Sequence, residues 1–413
     1  MDTLSTLSLS LFPQVQPFSP SSHAHSLHAT GAPLRSYPPP PPVSTAAPPA
    51  PPRPMLQFLI KIWFMVSIIS LVASLQPWVH AKPEVPCFFI FGDSLADNGN
   101  NNVGSSAKSN YQPYGIDFPE GPTGRFCNGR TISDIIAEHL GFDDFIPSFA
   151  RALDRDILMG VNYASGGAGI RNETGRKLGF RISMYKQLLN HQIIISRIAM
   201  LLGSKEAATN HLSKCIYSVG MGNNDYINNY FQPQYYPTSS QYTGEQYATV
   251  LVQQYSKQLK TLHEYGANKI AIFGLGQIGC TPAEIAVYGT NGFACVDKIN
   301  SVVEIFNVKL KSLVDDLNKE LAGVKFIYIN ITSITSGKTS PGLTVLNVPC
   351  CNVSSITGLC VSNKAPCSNR STYAFWDAYH PTEIVNVFVA GRAYNAQTTF
   401  DASPIDIHSL AQL

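Results

Sequence analysis

The chain predicts an α/β fold, a parallel sheet with helices on both faces. Three observations carry this. Five short apolar runs recur in residues 82–413, each ends in a Gly/Asn/Asp turn, and amphipathic helical stretches lie between them. Apolar runs of this length, without clean alternation, suit strands buried on both faces. Length alone would suggest about two domains, but the unbroken alternation argues for one domain over 82–413.

Two segments precede that body. Residues 1–54 hold 14 of the 29 prolines and only three charged residues, Asp2, Arg35 and Arg53. Such a segment buries too little apolar surface to offset its ordering entropy and reads as a disordered leader. Residues 55–81 read as a signal peptide: Lys61 precedes the apolar run Ile62–Leu75, and Val79-His80-Ala81 is a small-x-small cleavage site. The run has 14 residues, short of the ~20 a bilayer span needs, so no stable membrane span is expected. The expected location is secreted and extracellular. A plastid transit peptide is the alternative; nine serines and one acid in 1–54 fit it, while two arginines are few for that class.

Within the body the predicted strands are Cys87–Phe91, Ile157–Tyr163, Cys215–Val219, Lys269–Phe273 and Val324–Ile329. The predicted helices are Thr131–Leu140, 181–202, 244–264, 296–321 and 382–394, the first with Ile132, Ile135, Ile136 and Leu140 on one face. Residues 82–413 balance 26 basic against 26 acidic side chains, and the whole chain carries a formal charge of +2. That excludes a strongly basic nucleic-acid binder.

All nine cysteines lie in the body. In an oxidising compartment several should pair. Cys350, Cys351, Cys360 and Cys367 crowd one loop, and Cys280 and Cys295 flank another, so disulfides are expected in both places. Cys87 and Cys215 each open an apolar run and read as small buried hydrophobes. An odd count leaves at least one thiol free or paired between chains. No metal is expected, because no C-x-x-C occurs and no histidine lies near the cluster. Four N-glycosylation sequons, at Asn172, Asn330, Asn352 and Asn369, agree with secretion, and each predicts a surface position.

In an open α/β sheet, ligands bind outside the carboxyl ends of the strands. The first run ends Gly92-Asp93-Ser94-Leu95. A serine there suits a nucleophile beside free N–H groups, and equally suits a helix N-cap. The second run ends in Ser165-Gly166-Gly167-Ala168-Gly169, where small residues let N–H groups approach a ligand or simply make a turn. That run carries no dinucleotide or P-loop glycine pattern. The third run ends in Gly222-Asn223-Asn224-Asp225, placing an amide donor in the same crevice or, again, a turn. Near the C-terminus, Asp377 stands three residues before His380-Pro381. A carboxylate on one ring nitrogen leaves the other free to act as base; an N-capping histidine beside an unrelated acid is the other reading. The remaining body histidines fall in helical stretches or the polar tail. Together these residues supply a nucleophile, a base, an orienting acid and oxyanion donors.

These blocks resemble the plant GDSL esterase/lipase family, within the wider SGNH hydrolases. Phe-Gly-Asp93-Ser94-Leu with Asp97-Asn-Gly-Asn-Asn resembles the first block, and Ser94, Gly166, Asn224 and His380 match the four letters of the superfamily name. Gly-Arg125-Phe-Cys-Asn-Gly-Arg130 and Gly-Cys280-Thr-Pro are similar to that family too, and the likeness spans roughly Val85 to Thr398. It implies a flavodoxin-like three-layer αβα sandwich with a five-stranded parallel sheet. It also implies hydrolysis of acyl or lipid esters through an acyl-enzyme. Ser94, Asp377 and His380 would be catalytic; the N–H groups of Ser94 and Gly166 and the Asn224 amide would form the oxyanion hole. No cofactor is called for. Asp93 reads as shaping the turn, not as a catalytic acid. An acyltransferase would use the same acyl-enzyme, and a non-catalytic binding protein would show a broken residue set, whereas this set is intact.

Overall fold

The computed structural model describes residues 53–75, 82–336 and 342–413. Two units divide near residue 77, and each is taken by itself. In the first, Arg53–Leu75 is a helix that exposes Phe58, Trp63 and Phe64 among other apolar side chains of residues 55–68. No helix among the described residues is long and apolar enough to cross a membrane. The proposed cleavage site at 79–81 and residues 1–52 of the leader lie outside the described residues.

The second unit is built on strands β1 (Phe88–Gly92), β2 (Ile216–Gly220), β3 (Lys269–Phe273) and β4 (Lys325–Ile329), hydrogen-bonded side by side in that order and all parallel. Two strands farther along the chain, β5 (Val345–Pro349) and β6 (Tyr373–Phe375), form a separate parallel pair, and β7 (Ala402–Ser403) closes the main sheet antiparallel to β4. Side chains alternate across the sheet as the strand period requires. Phe89, Phe91, Tyr217 and Ile272 enter one core with the helices Met184–Leu202, Gly244–Glu264 and Asp297–Glu320. Phe88, Ile90, Ile216 and Ile327 enter the other, with Ile132–His139 and Glu383–Tyr394. That is the three-layer αβα sandwich.

One predicted strand differs in detail. Residues 157–158 belong to a short 3-10 turn, Asp154–Leu158. The rest of the run lies beside β1: Ile90 donates to Val161, Tyr163 donates to Ile90, and Ser165 donates to Gly92. Phe88 donates to Met159, and Gly160 lies so close to β1 that a Cβ there would strike the Phe88 carbonyl. This segment outside β1 completes the 2-1-3-4-5 order of a flavodoxin-like sheet, in which the strand order reverses between β1 and β2 and leaves a crevice at their carboxyl ends.

Local chemistry explains the helix starts. Thr131 and Thr243 each form a capping box, with Asp134 and Gln246 respectively. Asp134 also holds the buried Arg125 guanidinium at 2.7 Å, which pulls its carboxyl below the usual range despite burial.

Four disulfides form: Cys87–Cys215, Cys280–Cys295, Cys350–Cys367 and Cys351–Cys360. The first corrects the sequence reading of two unpaired buried hydrophobes. β1 and β2 are neighbours with Phe88 opposite Ile216, so the preceding residues meet. His211 Nε2 lies 3.2 Å from Cys87 Sγ. These three are the only His/Cys/acid group among the described residues close enough to share a metal, and sulfurs joined as a disulfide offer no thiolate ligand. Cys127 is free and buried. Asn172, Asn352 and Asn369 are exposed, and Asn330 is half-buried.

Candidate active site

The turn after β1 is held from beneath by a side chain the sequence reading missed. Buried Gln187 accepts the Gly92 N–H at 3.0 Å and donates to the Gly92 carbonyl at 2.8 Å. Asp93 then closes the turn, accepting the Leu95 N–H at 3.0 Å through one oxygen and the Asn223 amide at 3.0 Å through the other. Burial pushes its carboxyl up, and these donors oppose the shift. Ser94 follows, its N–H without a protein acceptor among the described residues.

The 377–380 loop is folded by its own acid. Asp377 Oδ1 accepts the N–H groups of Tyr379 and His380, both at 2.8 Å, so the carboxylate curls back onto the imidazole. His380 Nδ1 lies 2.8 Å from Asp377 Oδ2, and Nε2 lies 2.7 Å from Ser94 Oγ. A carboxylate only accepts, so Nδ1 carries the proton and Nε2 accepts the serine hydroxyl. Asp377 is fully buried, and Phe126 packs 4.9 Å from the imidazole, measured between ring centres. Three residues spread over 286 positions of chain thus form one hydrogen-bonded line.

Asn224 reaches the same crevice from the end of β2. Its Nδ2 donates to the Ala168 carbonyl at 2.9 Å, and its Oδ1 accepts Asn228 Nδ2 at 2.7 Å. The Ala168 carbonyl only accepts, so it fixes which end of the Asn224 amide is nitrogen; Asn228 steadies the other end, and one Nδ2–H remains uncommitted. Gly166 departs from expectation. Its N–H donates to Asp97 Oδ2 at 2.9 Å, and an N–H bonded to a carboxylate is not free for an oxyanion. The next N–H, of Gly167, has no acceptor among the described residues. Glycine at 166 has a steric cause: a Cβ there would come within 2.9 Å of the Phe126 ring.

Beside Ser94 lies a cavity of about 10 Å³, lined by Leu95, Phe126, Cys127 and Pro381 among others, room for about one water. A larger groove, about 490 Å³, runs between Met184–Leu202 and Gly244–Glu264; Asn172 lines it, and Ser94, Asn224, Asp377 and His380 do not.

Residues 88–392 match the family model of the GDSL-like lipase/acylhydrolases. The chain belongs to that family. The GDSL family is one of carboxylic ester hydrolases, and this chain falls in that enzyme class. Two Arabidopsis thaliana proteins illustrate the likeness. GDSL esterase/lipase At1g29670 is 50% identical over 366 residues, covering 87% of this chain and all of that protein. GDSL esterase/lipase At4g18970 is 50% identical over 338 residues, covering 80% of this chain and 94% of its own length.

Proposed function

We propose that this GDSL hydrolase cleaves acyl esters through a Ser94 acyl-enzyme, with His380 as general base and acid and Asp377 as the group that orients it. The observation that supports this most is the continuous line from Asp377 through Nδ1 and Nε2 of His380 to Ser94 Oγ, with contacts of 2.8 and 2.7 Å.

In this scheme Ser94 Oγ bonds to the ester carbonyl carbon as its proton passes to His380 Nε2. The negative oxygen is held by the Ser94 N–H and the free Nδ2–H of Asn224. The Gly166–Gly167 turn contributes through the N–H of Gly167, since that of Gly166 is engaged by Asp97. Collapse breaks the ester C–O bond, and His380 gives its proton to the leaving alcohol. Water then attacks the acyl-enzyme with His380 again taking the proton, which frees the acid and restores Ser94. Every group is supplied by the chain, and the substrate is an acyl or lipid ester.

We further propose that the protein is secreted, with residues 55–81 as signal peptide and 82–413 as the hydrolase domain. The apolar segment with its small-x-small site, four sequons and four disulfides support this.

The test is steady-state hydrolysis of p-nitrophenyl esters from acetate to palmitate by wild type, Ser94→Ala and His380→Ala. Loss of a nucleophile or base that acts in concert costs about 10⁶ in kcat. Equal modest losses in both variants would refute the assignment.

A further inference from the structure

The orienting acid has a partner that the scheme above does not use. Tyr114 is fully buried, and its hydroxyl donates to Asp377 Oδ2 at 2.6 Å. The tyrosine oxygen in turn accepts the Cys360 backbone N–H at 3.1 Å. Cys360 is bonded to Cys351, whose own N–H donates to the carbonyl of Trp376, the residue before Asp377. The ring of Tyr114 is packed edge-on by Tyr111 at 5.3 Å and by Phe126 at 6.1 Å between centres, and Phe126 also packs on the imidazole. The hydroxyl is therefore fixed from three sides.

We propose that Tyr114 is a positioning residue for catalysis, acting through Asp377 on His380. The proposal rests on the triad reading. A carboxylate has two oxygens and turns about its last torsion with a broad, two-fold preference. Oδ1 is tied by the backbone N–H groups of Tyr379 and His380. Oδ2, the oxygen nearer His380 Nδ1, is tied by Tyr114 alone apart from the imidazole itself. Two ties fix the plane of the carboxylate, and that plane aims its lone pair at Nδ1. Burial and the Asp377 charge keep the phenol protonated, so at working pH it donates. A donor that is never ionised also shares the carboxylate charge without competing for it. The disulfide-closed 351–360 loop supplies the N–H that seats the phenol oxygen.

The test is a double-mutant cycle on the purified chain: wild type, Tyr114→Phe, Asp377→Asn and the double variant, with kcat and KM for p-nitrophenyl acetate and Tm for each. A hydrogen bond to a charged group is strong enough for Tyr114→Phe to lower kcat by about tenfold, with KM within about twofold. In the Asp377→Asn background the same change costs less than about twofold, because contacting residues that act together are non-additive. Unchanged kcat in Tyr114→Phe overturns the proposal. So does an equal loss in both backgrounds, which marks a purely structural role. If Asp377→Asn itself keeps wild-type kcat, the triad reading fails and takes this proposal with it, which separates the two failures. If Tyr114→Phe does not fold, 3-fluorotyrosine at position 114 keeps the shape and changes the donor. A change in kcat only when Asp377 is present supports the proposal, and no change overturns it.

Discussion

Asp97 and Gly166 are joined by a 2.9 Å hydrogen bond from the glycine N–H to the carboxylate Oδ2. Oδ1 of the same acid accepts the N–H groups of Gly99 and Asn100, both at 2.8 Å. One fully buried carboxylate thus fastens the segment after Ser94 to the glycine turn that faces it. Burial pushes this acid up to about 6, and the three N–H donors resist the shift.

Asp97→Ala leaves three buried N–H groups without an acceptor. At about 1–3 kcal/mol each, the expected loss is at least about 3 kcal/mol of stability, read from the urea midpoint. An unchanged midpoint would show that water or a shifted loop takes over all three.

Asn224→Ala removes a proposed oxyanion donor and should lower kcat by about 10²–10³. Asn228→Ala removes only a group that steadies the Asn224 amide, so a smaller loss of about tenfold is expected, with KM little changed. Steady-state kinetics on one ester separates them. A loss in Asn228→Ala as large as in Asn224→Ala would make Asn228 more than an orienting group.

Glu284 bears on pH. It is buried at the start of Pro282–Tyr288, and its side chain has no hydrogen bond or ion pair within 4.0 Å among the described residues. Desolvation raises it to about 7, with Lys177 opposing weakly. Below about pH 4.5 the carboxyl is neutral folded and unfolded, and its burial carries no charge penalty. As pH rises from about 4.5 to 7 the unfolded state ionises first, so stability falls, by up to about 3 kcal/mol. Glu284→Gln removes that term. The variant's advantage over wild type, measured by urea unfolding at several pH values, should grow across this window and level off above it. An advantage independent of pH would contradict the assignment.

The thiol inventory gives a further check. Four disulfides leave Cys127, whose thiol is raised to about 12 by burial. Ellman's reagent should find no reactive thiol in native protein and one per chain in urea without reductant, since reactivity needs the thiolate and access. Three thiols in urea would mean that one of the four pairs is reduced.

What the sequence made legible was local. Asp377, His380 and Pro381 sit within five residues, and their geometry follows from an acid curling onto its own turn. The four parallel strands are continuous apolar runs, which only a doubly covered sheet explains. What escaped depended on neighbours across the sheet. Cys87 pairs with Cys215 because β1 lies beside β2, a matter of strand order and not of either run. Gln187 reaches Gly92, and Tyr114 reaches Asp377, over 95 and 263 positions; nothing in the local pattern marks them. The antiparallel β7 has two residues, too few for any periodicity. At Gly166 the residue type was readable but its hydrogen-bond partner was not.

The central claim is that Ser94 is an activated nucleophile. Its most direct test is fluorophosphonate labelling of the purified chain beside Ser94→Ala, with the modified peptide identified by mass spectrometry. The account predicts one label per chain on Ser94 and none on the variant. An unlabelled wild type of proven fold, or a label on another residue, would contradict it.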